Sequence, residues 1–138
     1  QKVEYSFHNV SKPLFFEATE AWVEKVANQL FTSIDGVGFI FCSDEDLLHI
    51  NQKQLSHDYY TDIITFDLRD QPSDPLVCDI YISLDRVKEN AISFNCTFAE
   101  ELKRVMVHGL LHLTGMNDST EEEKQAMRLA ENKYINLK

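Results

Sequence analysis

A length of 138 residues fits one domain spanning 1–138, large enough to bury a core without disulfide or metal staples. With 43% hydrophobic and 26% charged residues the composition is not that of a disordered or fibrous chain, and the longest apolar run, Val37–Cys42, falls far short of the roughly 18 residues a membrane helix needs. The net charge of −10, from 23 acidic and 13 basic residues, argues against loose electrostatic binding to nucleic acid, but not against RNA held by a metal ion and a local basic groove.

Lys2–Phe7 alternates apolar and polar residues as a half-buried strand does. The charged residues salting this end (Lys2, Glu4, Lys12, Glu17) do not form a signal peptide, and a cytoplasmic location is expected. Pro13 opens a predicted helix to about Phe31, whose apolar stripe is Phe16, Trp22, Val23, Val26 and Leu30. Asp35-Gly36 precedes a buried strand, Val37–Cys42, and Ser43 caps the next helix, with Asp46 three residues on. Ile63–Leu68 reads as a strand, Gln71–Pro75 as a turn with two prolines, and Leu76–Ser83 as a further strand. Leu84–Phe94 is helical by pattern. Thr97 and Glu100 form a capping box for a long apolar helix ending at Gly115, and Ser119 or Thr120 caps a last helix carrying Met127, Ala130 and Tyr134. About four strands and five helices in mixed order predict helices covering a small sheet, in an α/β or α+β arrangement. Cys42, Cys78 and Cys96 are odd in number and form no CxxC pair, so reduced, buried thiols are expected.

The chemistry concentrates in Val107–Asp118, VHGLLHLTGMND. His108 and His112, four apart on a helix, project from one face and can meet a single ion. Gly115 can stop the helix in a left-handed conformation, and the returning chain can bring Asp118 to the same ion. Three ligands leave a fourth tetrahedral position for water, as in a catalytic zinc site. The helix is otherwise apolar (Val105, Met106, Leu110, Leu111, Leu113), and unpaired imidazoles in such a setting are costly unless an ion satisfies them. Gly109 stands where HExxH metalloproteases carry their general-base Glu, which argues against that peptidase chemistry and leaves room for close approach of another segment or a substrate. His57, Asp58 and Asp62 are the candidates for proton transfer, and Tyr59-Tyr60 the candidates for base stacking.

HGLLHLTGMND resembles the HGxLHLxGYDH motif of the YbeY-type zinc-dependent single-strand endoribonucleases that mature ribosomal RNA. DYYTDIITF (Asp58–Phe66) is similar to that family's D-x-x-TDVLSF block and CDIYIS (Cys78–Ser83) to its GDIxIS strand, in the same order. The resemblance implies an α+β fold with a mostly parallel four-stranded sheet, one Zn²⁺, and His108 and His112 as ligands. Asp118 stands where the family has a third His, which keeps a metal ligand but makes the ion less Lewis-acidic. Leu55 stands where the family has an Arg, with loss of a clamp on developing phosphate charge. His57 is the nearest replacement.

The leading expectation is therefore metal-dependent hydrolysis of single-stranded ribosomal RNA during 16S rRNA 3′-end maturation and ribosome quality control. Its partners would be rRNA and ribosomal particles, with no membrane or DNA partner. Two alternatives stay open: another metal-dependent hydrolase such as a peptidase or amidase, and a non-catalytic ribosome-assembly factor with a structural ion.

Overall fold

The computed structural model describes residues 2–55 and 61–137, without the side chain of Leu55. Among the described residues the element order is β1 (Val3–Phe7), α1 (Phe16–Leu30), β2 (Ile34–Cys42), α2 (Asp44–Leu55), β3 (Ile63–Asp67), β4 (Leu76–Ser83), α3 (Leu84–Ser93), α4 (Phe98–Leu113) and α5 (Glu121–Ile135). The strands form one sheet in the order β1-β2-β4-β3. β1 pairs parallel with β2 and β2 with β4, while β3 runs antiparallel along β4. This is the α+β architecture expected, with a mostly parallel sheet and five helices.

The register explains the core. Val3, Tyr5 and Phe7 stand opposite Val37, Phe39 and Phe41, which stand opposite Cys78, Ile80 and Ile82. With side chains alternating along each strand, all of these share one face. That face meets the apolar stripes of α1 (Phe16, Trp22, Val23, Val26) and α4 (Leu102, Val105, Met106, Leu110) in a single buried cluster. The other face carries a smaller cluster under α2, built on Cys42, Leu47 and Ile64. The Trp22 indole donates to the Tyr134 carbonyl at 2.7 Å and so ties α1 to the end of α5.

Two boundaries differ from expectation. Pro13 does not open α1; its carbonyl accepts the Phe16 N–H at 3.1 Å in a turn, and the helix begins there. Asp35-Gly36 lies inside β2, because Ile34 pairs with Leu76 and Gly36 with Val77, which accommodates one additional residue as a bulge. As expected, β4 passes into α3 without a loop, and the Ser83 hydroxyl accepts the Arg86 N–H and caps the helix directly. Cys42 and Cys78 are buried as expected, whereas Cys96 is only half-buried. Burial pushes both buried thiols up to about 12, which leaves them without thiolate character. No helix among the described residues is long and apolar enough to cross a membrane.

Candidate metal centre

α4 starts at a complete capping box, in which the Thr97 hydroxyl accepts the Glu100 N–H and the Glu100 carboxylate accepts the Thr97 N–H. Its core face docks on the sheet at Gly109. A Cβ at that position would lie 2.8 Å from Ile63 Cδ1 and 3.3 Å from both Ile80 Cγ2 and Thr65 Cγ2. The close approach that the glycine permits is therefore that of β3 and β4. His108 and His112 sit one turn apart on the flank of this packed face, both half-buried.

The end of α4 then directs the chain back. Gly115 has φ +105°, the Gly115 N–H donates to the His112 carbonyl at 3.0 Å, and the Met116 N–H donates to the Leu111 carbonyl at 3.3 Å. These are the paired bonds of a Schellman motif with glycine in the left-handed position. Two residues past Asp118, Thr120 opens α5 with its own capping box to Glu123. Asp118 is thus carried on a short segment clamped between two capped helix ends.

The three side chains predicted from the sequence come together. His108 Nε2 lies 3.0 Å from His112 Nε2, and Asp118 Oδ2 lies 3.3 Å and 3.5 Å from those two nitrogens. They form a group that could hold one metal ion. A tetrahedral ion with bonds of about 2.0–2.1 Å separates its ligand atoms by about 3.3 Å, and the observed triangle brackets that value.

What lies behind each ring sharpens the fit. His112 Nδ1 is 2.9 Å from the Met116 carbonyl, which only accepts, so this nitrogen carries the proton. His108 Nδ1 is 2.7 Å from Glu131 Oε2. Burial alone would push the Glu131 carboxyl up, but its hydrogen bonds to His108 and Arg104 outweigh this and hold it below the usual carboxylate range. An ionised Glu131 accepts, so His108 Nδ1 is also the protonated nitrogen. Both Nε2 lone pairs then face each other and a carboxylate oxygen, an arrangement suited to a cation at its centre. Burial works to lower His108, yet the Glu131 hydrogen bond and the charges of Glu131, Asp118 and Asp62 prevail and raise it.

Glu131 and Arg104 were not singled out from the sequence. Arg104 Nη1 reaches Glu131 Oε1 at 2.9 Å and Arg104 Nη2 reaches Asn132 Oδ1 at 2.9 Å, locking α4 to α5. A signal was present, because Glu131 follows Met127 by four residues and so falls on the buried face of α5.

The group borders a cavity of about 340 Å³ lined by Asp62, Phe94, Arg104, His108, Asp118 and Arg128, among others. Burial raises the Asp62 carboxyl, against the opposing charges of His108 and Arg86. Of the other predicted residues, His57, Asp58 and Tyr59-Tyr60 lie outside the described residues, as does the side chain of Leu55, the last residue of α2.

Comparison with known proteins gives a consistent picture. A sequence model of the family described as Endoribonuclease YbeY matches residues 4–137. The Endoribonuclease YbeY of Bacteroides thetaiotaomicron is 41% identical over 137 residues, covering 99% of this chain and 98% of that protein. The protein of the same name from Christiangramia forsetii is 50% identical over 116 residues, covering 84% of this chain and 80% of that one. The solution structure of TM1509 from Thermotoga maritima superposes with a TM-score of 0.68 at 27% identity, over 95% of this chain and 86% of that one.

Proposed function

The chain belongs to the Endoribonuclease YbeY family, and from that premise we propose that it is a zinc-dependent hydrolase of single-stranded ribosomal RNA, acting on ribosomal particles in the cytoplasm during 16S rRNA 3′-end maturation and ribosome quality control. The observation that carries the reading is the convergence of three lone-pair donors at 3.0–3.5 Å, with both imidazoles turned by hydrogen bonds on their far nitrogens.

His108, His112 and Asp118 are the residues that hold the ion. When bound, the ion supplies Lewis acidity at neutral pH, polarising a phosphate oxygen and activating water. Glu131 fixes the His108 ring and Met116 the His112 ring, so the ligand set needs little rearrangement to bind. Asp62, in the same cavity and with its proton affinity raised by burial, is the described carboxylate best placed to take up or deliver a proton during hydrolysis. His57 and Asp58 remain candidates for that role. A peptidase is disfavoured by Gly109, whose close contact with Ile63, Thr65 and Ile80 leaves no space for a general-base side chain. A closed structural ion is disfavoured by the open cavity beside the donors.

The test is metal content by elemental analysis, paired with cleavage of a single-stranded rRNA fragment, for the natural protein and for His108→Ala and His112→Ala. About one zinc per chain and RNA cleavage are expected in the first, and loss of both in each variant. Undiminished cleavage in either variant defeats the proposal.

A further inference from the structure

Phe94 stands out among the exposed apolar side chains of the described residues. It is 61% exposed, yet it lines the cavity that also holds Asp62, His108 and Asp118. Its backbone is fixed. The Asn95 N–H donates to the Ile92 carbonyl and the Cys96 N–H to the Ala91 carbonyl, with Asn95 at φ 56°. This second Schellman motif, with asparagine in the left-handed position, ends α3 and sets the ring on a rigid support.

Two arginines line the same cavity. Arg104 is engaged by Glu131 and Asn132. Arg128 is exposed, lies three residues before Glu131 on α5, and forms no hydrogen bond or ion pair among the described residues. Arg128 shares the cavity with the buried Glu101 carboxyl, which feels its charge. An exposed cation and an exposed aromatic ring lining one cavity with the candidate metal ligands is the composition of single-strand nucleic-acid sites, where bases stack on rings and cations follow the backbone. On a chain of net charge −10 this pairing is not a general property of the surface.

Resting on the endoribonuclease reading above, we propose that Phe94 and Arg128 form a nucleotide subsite next to the metal group. The Phe94 ring stacks on the base adjoining the scissile phosphate, and Arg128 contacts a neighbouring phosphate. Any base offers a π face, so the subsite selects for an unpaired nucleotide rather than for one base identity. A base held in a duplex is already stacked and cannot be received.

The experiment uses the zinc-loaded full chain and a labelled single-stranded RNA, intact or carrying one abasic nucleotide stepped across the cleavage position. Phe94→Ala is expected to raise KM about tenfold with kcat little changed, and Phe94→Tyr to restore most of the loss. One abasic position should impose a similar penalty on the natural protein and none on Phe94→Ala. Arg128→Gln is expected to flatten the dependence of log KM on log salt by about 0.7. The proposal is overturned if Phe94→Ala keeps the natural KM, or if the abasic penalty at every sensitive position survives in it. If the natural protein cleaves no RNA at all, the endoribonuclease reading fails first and this subsite with it; cleavage without a Phe94 effect overturns the subsite alone.

Discussion

Replacing Glu131 by Gln tests how the site is held, because it changes one atom and conserves shape. Glu131 now accepts from two donors, His108 Nδ1 at 2.7 Å on one oxygen and Arg104 Nη1 at 2.9 Å on the other. A glutamine has one accepting oxygen and one NH₂, so one of these donors must face another donor. If Arg104 keeps the oxygen, His108 loses its anchor and its preferred tautomer. Loss of such a second partner costs about 10–100-fold in metal affinity, which is about 1.4–2.7 kcal/mol. Stability falls as well. Breaking a fully buried ion pair costs about 3–5 kcal/mol, but the Arg104 side chain is 23% exposed and can turn to water. A loss of about 1–2 kcal/mol, or about 4–8 °C in Tm, is therefore expected. Zinc affinity is read by competition with a chromophoric chelator and stability by thermal melting. Arg104→Met serves as the control, since it removes the other partner but leaves the carboxylate on His108, so it should lower Tm with little loss of zinc affinity. Zinc affinity within about twofold of the natural value in Glu131→Gln, or equal losses in both variants, would refute the reasoning that this carboxylate orients the ligand.

Gly109→Ala gains up to about 1 kcal/mol of helix propensity but drives a methyl against Ile63, Ile80 and Thr65. Overpacking of about 1–3 kcal/mol should leave a net loss of stability in denaturant melts. Gly115→Ala must hold a Cβ at φ +105°; a loss of about 1–2 kcal/mol is expected, with weakened zinc binding because the Met116 carbonyl moves off His112. In the chelator-treated protein His108 is raised above its ordinary value near 6.5, so its stabilisation is complete below that pH and is lost as pH climbs through the folded value. Glu131 is depressed, so its stabilisation is complete above about 4.5 and is lost as pH falls through its folded value. The pair's contribution to Tm should therefore peak between about pH 4.5 and 6.5, and a pH series of melts on Glu131→Gln should lack that component. Chelation itself should lower Tm without abolishing a cooperative transition, since the core cluster is assembled from the sheet, α1 and α4 and contains none of the three ligands. Unfolding on chelation, as in zinc fingers, would favour a structural ion instead.

The convergence of His108, His112 and Asp118 was the most legible part of the chain because its determinants are local. The i, i+4 spacing of His108 and His112, the glycine past the helix and the carboxylate behind it all lie within eleven residues, and each acts through backbone geometry that a sequence encodes directly. Both capping boxes were readable for the same reason, and the structure selects Thr120 over Ser119 as the cap of α5. Glu131 was not readable as a partner, because its role depends on α5 folding back across α4, 23 residues away from His108. Gly109 was readable as a missing general base and as a point of close approach, without its partner. Its meaning comes from the sheet beneath it, where a non-local contact decides between an opening for substrate and a packing constraint. Asp35-Gly36 misled by the opposite route. The dipeptide favours a turn locally, yet pairing with β4 absorbs it as a bulge inside β2.

Two helix ends near the candidate site are built by one device. α4 closes at Gly115 and α3 at Asn95, each in a Schellman motif with a left-handed residue, and the residues these motifs fix are Met116 beside His112 and Phe94 at the cavity edge. A helix end satisfies its own carbonyls in this motif, so the chain leaving it is held by backbone bonds and its side chains stay free to contact something else. The Asp118 carboxylate is accordingly placed by the capped helix ends on either side of it, and its ion-pair contacts among the described residues are to the two imidazoles. Groups that must be rigid yet unengaged are what a site needs when its ligands arrive from solution. The same core face of α4 that fixes the fold, through Leu102, Val105, Met106 and Leu110, sets the angle at which His108 and His112 meet that carboxylate, so the fold and the candidate site are specified by adjacent stripes of one helix.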